Sequence, residues 1–304
     1  MADKSGKTIS LVLGSGGARG LAHIGIIHWL EEQGYQVKSL AGCSMGAVIG
    51  GIYAAGKLDE YERWVRAIDK MDIVSLIDFS WRKGGLVKGE KIMDLLRELV
   101  GDRNIEDLPM RYTAVATDIK TEKEVWIQSG CLFDAMRASM SLPMFFTPFE
   151  YKGTTLIDGG VLNPVTIAPT FSDRTDLTIA VNLGGRIRAN VPKKLKIEKQ
   201  ARKNDSELRA SINRFIERLQ NSMTNDEDEA LGVYDIANQA FDAMQGTISR
   251  AKLAAYPPDK VVTIPRNACG TLEFDRAGEM IDLGYQMARL QLLDDGDNSG
   301  CERK

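Results

Sequence analysis

The first residue that could do chemistry is a serine between glycines, in the stretch Gly42-Cys43-Ser44-Met45-Gly46. A short apolar run precedes this stretch and a helix-forming run follows it, which is the setting of a nucleophile elbow. Gly42 and Gly46 leave room for a sharp turn that exposes the Ser44 hydroxyl. The pattern therefore indicates a nucleophile for acyl transfer. The alternative is a helix start in which Ser44 is only the N-cap.

A second candidate is the glycine-rich loop LGSGGARG at 13–20, which follows the first apolar run. It departs from the dinucleotide fingerprint GxGxxG because Arg19 stands where the third glycine belongs, and no lysine follows at P-loop spacing. Successive backbone N–H groups at the start of a helix still form a site for negative charge. The loop could therefore bind a phosphate or a transient oxyanion, and the alternative is a tightly packed turn.

A serine nucleophile needs a proton acceptor, and the chain has only two histidines, His23 and His28. Five residues apart on one predicted helix, they point about 140° away from each other and cannot form an i, i+4 metal pair. We interpret them as packed or surface residues, although His23 is close enough to the loop to approach a site. A carboxylate is the other acceptor, and Asp158 precedes two glycines at the end of a predicted strand. Asp-Gly by itself indicates only a turn.

The elements that must position these residues alternate between strands and helices. Apolar runs at 8–13 and 37–41 predict buried strands, and helices are predicted at 18–33 and directly after Ser44. Further strands are predicted at 111–117, 123–128, 154–157, 177–183 and 261–264, and helices over most of 57–110, at 131–139, after 233 and at 275–293. The alternation predicts an α/β fold with a mainly parallel central sheet flanked by helices.

Composition excludes several classes of protein. The chain has 304 residues, 43% of them hydrophobic, and a net charge of −3, which does not favour a nucleic-acid partner. Its four cysteines are far apart in sequence, so they predict neither a metal site nor a disulfide framework. No run approaches the roughly 18 apolar residues of a membrane span, and no signal peptide precedes the first glycines. We therefore expect a cytoplasmic protein that can also bind peripherally at the inner face of the membrane.

The segment 186–232 differs from its surroundings. Residues 187–216 carry nine lysines or arginines against three acids, and 226–229 are all acidic. We expect 1–185 and 233–293 to form one catalytic domain, 186–232 to be a charged helical or disordered insertion, and 294–304 to be a tail. The basic stretch could contact anionic lipid, since such residues contribute ~1 kcal/mol each near a charged membrane. The alternative is a solvated surface segment.

Four stretches in this order resemble the patatin-like phospholipase family: LGSGGARGLAHIG (13–25), GCSMGAVIGGIYAAG (42–56), ASMSLPMFFTPF (138–149) and LIDGGVLNPV (156–165). The resemblance spans about residues 8–185 and returns over 233–290. It implies a three-layer patatin-like α/β fold and a serine acyl hydrolase that uses a Ser-Asp dyad in place of a triad.

The resemblance also implies a role for each matching residue. Ser44 is then the nucleophile and Asp158 its partner. The backbone N–H groups of Gly16, Gly17 and Ala18 form the oxyanion hole, and Arg19 holds the shape of the loop. One position departs from the family's loop, because Ser15 stands where a glycine is common. A carboxylate with a pKa of ~3.9 is a poor match to a serine hydroxyl, so such a site must compensate with a strong oxyanion hole and a dry environment.

The expected function is hydrolysis of fatty-acyl esters of phospholipids or lysophospholipids, with no metal and no cofactor. A second hypothesis is a non-catalytic lipid-binding regulator that retains the fold. A third hypothesis is a nucleotide-binding enzyme that uses the glycine loop. Arg19, in the place of the third glycine of the fingerprint, argues against it.

Overall fold

The computed structural model describes residues 6–67, 79–80, 86–188 and 230–293, with an eight-stranded sheet at its centre. In chain order the strands are Thr8–Leu13 (β1), Gln36–Cys43 (β2), Phe79–Ser80 (β3), Leu86–Val87 (β4), Arg111–Asp118 (β5), Lys123–Ile127 (β6), Phe149–Tyr151 (β7), Thr154–Asp158 (β8), Leu177–Gly185 (β9) and Lys260–Pro265 (β10). The helices are Ala22–Glu32 (α1), Met45–Ala54 (α2), Leu58–Ala67 (α3), Glu90–Val100 (α4), Leu132–Ser139 (α5), Ala230–Ala255 (α6) and Ala277–Leu293 (α7). Short 3₁₀ turns lie at Gly17–Leu21, Ile105–Asp107, Gly159–Val161, Ala168–Thr170 and Phe274–Arg276.

The sheet has the order β10-β9-β1-β2-β5-β8-β7, and β6 also pairs with β5. The five strands from β10 to β5 are parallel, whereas β6 and β8 run antiparallel to β5 and β7 runs antiparallel to β8. Helix α2 packs on β2, α5 packs on β5, and α1 packs against α7. The predicted α/β fold with a mainly parallel sheet flanked by helices is confirmed.

Burial explains why the central elements form where they do. Strand β1 is buried at every position after Thr8, as expected for an apolar run in a parallel sheet covered on both faces. Helix α2 is buried at every residue except Tyr53. Burying a large aliphatic side chain in such a core contributes about 1.5–3 kcal/mol.

Helices α1 and α7 approach each other through a glycine on each helix. A Cβ atom on Gly25 would lie 1.9 Å from the carbonyl oxygen of Ile281, and one on Gly284 would lie 2.0 Å from the carbonyl oxygen of Ala22. Any larger residue at either position would force the helices apart. This close contact places the start of α7 beside the segment that follows β1.

Three local features differ from the sequence prediction. The stretch 57–110 contains helices α3 and α4, but it also holds the short antiparallel strand pair β3 and β4. Strand β7 was not predicted; it pairs with β8 across a two-residue turn at Lys152 and Gly153, which both have positive φ and match a type I′ hairpin. The helix predicted from residue 18 begins instead as the 3₁₀ turn Gly17–Leu21.

The chain divides into two compact units, one formed by Met1–Val191 with Gln245–Lys304 and the other by Pro192–Met244. The sequence prediction drew these boundaries at 185/186 and 232/233. Most of the basic stretch 187–216, the acidic run 226–229 and the tail 294–304 lie outside the described residues. None of the described helices combines the length and the apolar character that a membrane span requires.

Candidate active site

Strand register brings the predicted site residues to one edge of the sheet. Leu13 pairs with Gly42, so the glycine loop after β1 lies beside the turn after β2. On the other side of β2, Cys43 pairs with Val115 of β5, and the next residue of β5, Ala116, pairs with Asp158. Residues from three distant parts of the chain therefore meet at the carboxyl ends of β1 and β2, where open α/β sheets bind ligands.

Ser44 occupies a strained turn between β2 and α2. Its backbone has φ 54° and ψ −130°. Residues other than glycine rarely adopt this conformation, which costs of order 1–3 kcal/mol. A Cβ atom on Gly46 would lie 2.0 Å from the carbonyl oxygen of Leu13, so the turn is pressed against the end of β1. The Ser44 carbonyl accepts hydrogen bonds from the N–H groups of Ala47 and Val48. The local geometry is that of a nucleophile elbow.

A buried serine holds this elbow in place. The Ser44 N–H donates to Ser139 Oγ at 3.0 Å, and the Ser139 hydroxyl donates to the Val115 carbonyl oxygen at 2.6 Å. Ser139 is fully buried at the end of α5. Sequence reasoning assigned it no role, although it lies in the stretch 138–149 that carries the family resemblance.

The neighbouring Cys43 thiol is held in its protonated, unreactive form. Cys43 is fully buried, and its Sγ donates to the Asn163 carbonyl oxygen at 3.2 Å. Burial, with the nearby Asp158 carboxylate, raises the pKa of this thiol well above its usual value. Because the thiolate is the reactive form, Cys43 is inert in this position.

Asp158 ends β8 with its carboxylate fully buried. Burial raises its pKa to about 6, against the opposing effects of the nearby Ser44 side chain and of the hydrogen bond from the Gly160 N–H. Oδ1 accepts the Gly160 N–H at 2.7 Å. Oδ2 makes no hydrogen bond of regular geometry among the described residues, which leaves it free to interact with the Ser44 hydroxyl. The structure thus brings Ser44 and Asp158 together.

The glycine loop presents backbone donors at the same edge. The Gly16 and Gly17 N–H groups donate to no acceptor in the described part of the chain. Gly17 has φ +55°, and a Cβ atom there would lie 2.4 Å from the Thr271 carbonyl oxygen, so only glycine fits. The Ala18 N–H, expected as a third donor of the oxyanion hole, instead donates to that same Thr271 oxygen at 2.8 Å. In this structure the Ala18 donor is therefore occupied by a protein acceptor.

Two buried side chains, Arg19 and His23, bind carbonyl oxygens of the glycine loop. Arg19 Nε donates to the Gly16 carbonyl oxygen at 3.2 Å, and its Nη1 donates to the Arg266 carbonyl oxygen at 2.8 Å. His23 Nε2 lies 2.9 Å from the Gly14 carbonyl oxygen. Complete burial lowers the pKa of His23 to about 4, so the ring is neutral near pH 7 and Nε2 carries the donated proton. His23 is therefore a packed residue of α1 that contacts the loop, as the sequence analysis expected.

The second histidine lies away from this edge. His28 Nε2 is 2.6 Å from Glu62 Oε2 on helix α3, in a partly exposed pair. It contributes nothing to the cluster around Ser44.

An apolar cavity of about 280 Å³ opens beside Ser44. Its walls come from the segments around α2, α3 and α4, from the loop after α5 and from the loop before α7. The lining residues are Gly17, Ser44, Met45, Val48, Tyr61, Trp64, Val65, Val87, Ile92, Leu96, Met140, Leu142, Phe145, Phe146, Thr271, Leu272 and Phe274. Such a cavity fits a hydrocarbon chain whose polar end lies at Ser44.

Within the described residues, no cluster of three or more His, Cys, Asp or Glu side chains could hold a metal ion. The arrangement combines a serine hydroxyl on a strained backbone turn, a buried carboxylate and two backbone N–H groups, of Gly16 and Gly17, that bind no acceptor among the described residues. These are the three parts that acyl transfer through a serine requires.

Comparison with known proteins identifies a matching family model, similar sequences and a similar solved structure. The family model described as patatin-like phospholipase matches residues 11–170. An uncharacterised NTE family protein of Mycobacterium tuberculosis is 36% identical, over 98% of this chain and 96% of that protein. The protein named lysophospholipase NTE1 of Coccidioides immitis is 30% identical over 97% of this chain, which spans 18% of that much longer protein. Among solved structures, VipD of Legionella pneumophila aligns over 94% of this chain and 67% of that chain, at 13% identity and a TM-score of 0.42.

Proposed function

The chain belongs to the patatin-like phospholipase family, and on that premise we propose that it hydrolyses fatty-acyl esters of phospholipids or lysophospholipids. The observation that carries the proposal is the position of Ser44. This residue stands in a strained elbow, beside the buried Asp158 carboxylate and at the wall of an apolar cavity. A protein that only bound lipid would not need the strained backbone conformation at Ser44.

In the proposed reaction Ser44 Oγ attacks the ester carbonyl carbon while Asp158 accepts the hydroxyl proton. The carbonyl oxygen becomes an oxyanion, which the Gly16 and Gly17 N–H groups stabilise. Loss of a single such donor typically lowers kcat by about 10²–10³-fold. The tetrahedral intermediate then collapses, and the leaving alcohol takes the proton from Asp158.

Deacylation repeats these steps with water as the nucleophile. Asp158 accepts a proton from the water that attacks the acyl-Ser44 ester, and Ser44 recovers its hydrogen when the acid leaves. Burial supports this use of a carboxylate, since a pKa of about 6 makes Asp158 a stronger base than an exposed aspartate. The products are a free fatty acid and the deacylated lipid.

The apolar cavity supports a long-chain substrate. Its lining is aliphatic and aromatic apart from a few atoms near Ser44 and Thr271. Each methylene transferred from water into such a cavity contributes ~0.8 kcal/mol of binding. We place the acyl chain in this cavity and the head group outside it.

We also retain the proposal that the basic stretch 187–216 contacts an anionic membrane surface at the cytoplasmic face. Sedimentation with vesicles of anionic and of neutral lipid tests it. Binding to anionic vesicles that weakens with salt is expected. Equal binding to both kinds of vesicle would remove this part of the proposal.

Hydrolysis of a lysophospholipid and of a short soluble ester tests the main proposal. Ser44→Ala is expected to lower kcat by about 10⁴-fold or more. The matched control is Ser172→Ala, since Ser172 is an exposed serine at the opposite edge of the sheet, before β9. A Ser44→Ala variant with the activity of Ser172→Ala would contradict the proposal. Binding of lipid without turnover by the wild type would favour a non-catalytic regulator.

A further inference from the structure

A glutamine from far along the chain lies between two parts of the candidate site. Gln245 is on helix α6 and is 8% exposed. Its Nε2 donates to the Gly160 carbonyl oxygen at 3.0 Å and to Ser15 Oγ at 3.3 Å. One amide nitrogen therefore uses both of its N–H groups on partners from different segments.

Both partners stand next to groups of the proposed reaction. Gly160 is the residue whose N–H donates to Asp158 Oδ1 at 2.7 Å. Ser15 directly precedes Gly16, and its own N–H donates to the Pro164 carbonyl oxygen at 2.9 Å. Gln245 thus joins the turn that carries the carboxylate to the loop that carries the backbone donors.

Gly160, Ser15 and Gln245 are closely packed against one another. A Cβ atom on Gly160 would lie 2.5 Å from Ser15 Oγ and 2.6 Å from Gln245 Nε2. Glycine at this position has no side chain that could fix its own backbone, so the hydrogen bond to its carbonyl oxygen restrains the turn Gly159–Val161. The same arrangement gives Ser15 a role, since its hydroxyl is the acceptor on the loop side.

We propose that Gln245 is a positioning residue that holds the Asp158 turn and the glycine loop in a fixed relation during ester hydrolysis. This inference rests on the proposed function. Gln245 does not line the apolar cavity, so it acts through Gly160 and Ser15 and not on the substrate. Its loss should lower kcat and leave KM unchanged, because acyl binding is untouched whereas the reacting groups lose their alignment.

The pH dependence of kcat distinguishes a positioning role of Gln245 from a general effect on stability. If the Gly160 N–H is held less firmly, Asp158 loses part of the hydrogen bonding that favours its ionised form. The acid limb of the pH–kcat profile then moves to higher pH. A buried glutamine that only stabilised the fold would not move this limb.

The test compares Gln245→Met with a matched control, Gln291→Met. Gln291, on α7, also uses its amide on backbone groups, accepting from the Thr263 N–H and donating to the Thr263 carbonyl oxygen at 3.0 Å each. Both variants lose two hydrogen bonds of one glutamine, but only Gln245 touches the site. Kinetics on a short soluble ester and urea unfolding are measured for both.

We expect Gln245→Met to lower kcat by about ten- to a hundredfold and to shift the acid limb upward. Gln291→Met should keep the wild-type kcat and limb while losing stability in urea. Gln245→Glu provides a second variant of nearly the same shape; once ionised it cannot donate to the Gly160 carbonyl oxygen, so the same loss of kcat is expected at pH 8. Ser15→Ala combined with Gln245→Met should lower kcat less than the product of the single effects.

Wild-type kcat and an unmoved acid limb in Gln245→Glu or Gln245→Met would overturn the positioning role. This outcome is distinguishable from failure of the proposed function, because Ser44→Ala is assayed alongside. If Ser44→Ala is inactive and the Gln245 variants are fully active, only the inference on Gln245 falls. If the wild type is no more active than Ser44→Ala, the proposed function and this inference fall together.

Discussion

Ser44 and Asp158 flank strand β5 at the same level of the sheet. Cys43, directly before the serine, pairs with Val115, and Asp158 pairs with the adjacent Ala116. The carboxylate is therefore fixed by strand register, and burial at this place raises its pKa to about 6. In the proposed reaction, a base held in this way is aligned before the substrate binds and requires little reorganisation.

The pH dependence of hydrolysis should follow the ionisation of Asp158. The carboxylate must be ionised to accept the Ser44 proton, so kcat/KM should rise through about pH 6 and then level off. His23 is already neutral above about pH 4 and adds no further limb in this range. Titrimetric assay of acid release from about pH 5 to about pH 8 measures the profile. A profile that is flat across pH 6 would exclude Asp158 as the base.

Asp158→Asn should stabilise the protein at alkaline pH while it abolishes activity. The native pKa of about 6 lies above the ordinary value of 3.8. The carboxyl group therefore favours folding fully below about pH 4, and this contribution disappears as the pH rises through 6. The difference between these two pKa values corresponds to about 3 kcal/mol in the free energy of unfolding.

Urea unfolding of wild type and Asp158→Asn at pH 8 and pH 5 measures this effect. The variant should be more stable at pH 8, and its advantage should shrink at pH 5. The matched control is Asp176→Asn at the exposed start of β9, where hydrogen bonds from Thr8 lower the pKa of the carboxyl group. No stabilisation at pH 8 is expected there. Equal stability of wild type and Asp158→Asn at pH 8 would show that the carboxylate carries no cost of burial.

The rim of the cavity should determine how well long acyl chains are used. Leu272 lines the cavity and is 39% exposed, so Leu272→Trp can narrow the entrance without disturbing the core. We expect kcat/KM to fall for long-chain esters and to stay unchanged for acetate esters. Each methylene excluded from the cavity forfeits ~0.8 kcal/mol, about fourfold in kcat/KM.

The control for the rim is Leu290→Trp, at a leucine of α7 that is 58% exposed and does not line the cavity. It should leave every ester in the series unaffected. If Leu272→Trp lowers activity on acetate and long-chain esters alike, the cavity is not the site of the acyl chain.

Ser139→Ala should weaken the elbow. The substitution removes the acceptor of the Ser44 N–H and leaves that buried group without a partner, which costs about 1–3 kcal/mol. We expect kcat to fall by about tenfold because the nucleophile loses its alignment. Ser10→Ala is the control, since Ser10 of β1 is equally buried and its hydroxyl donates to Asp173 Oδ2 at 2.9 Å, at the opposite end of the strands. A wild-type kcat in Ser139→Ala would mean that the strained turn holds without this hydrogen bond.

Local pattern was sufficient to predict the central strands of the sheet and the turn at Ser44. Apolar runs of strand length and glycines at fixed spacing encode β1, β2 and the turn at Ser44 within a few residues, so they can be identified from neighbours in sequence. Asp158 could be identified only through the resemblance, because an Asp-Gly pair is common in turns.

Contacts between distant segments could not be predicted. The link from Gln245 to Ser15 and the bond from the Ala18 N–H to the Thr271 carbonyl oxygen each join residues that no local pattern pairs. The cavity is similar, since its walls come from helices and loops spread over most of the chain. Such features depend on contacts between segments that are distant in sequence, which local helix and strand propensities do not determine.

The most direct test of the account is to locate the covalent adduct of a fluorophosphonate probe on the wild-type protein by peptide mass spectrometry. Attack by Ser44 on the phosphorus would release fluoride and leave the phosphonyl group on Ser44 Oγ. We predict one adduct per chain, on the peptide that contains Ser44, and its absence in Ser44→Ala. An unlabelled wild type that is folded, or an adduct on any other residue with Ser44 unmodified, would contradict the account.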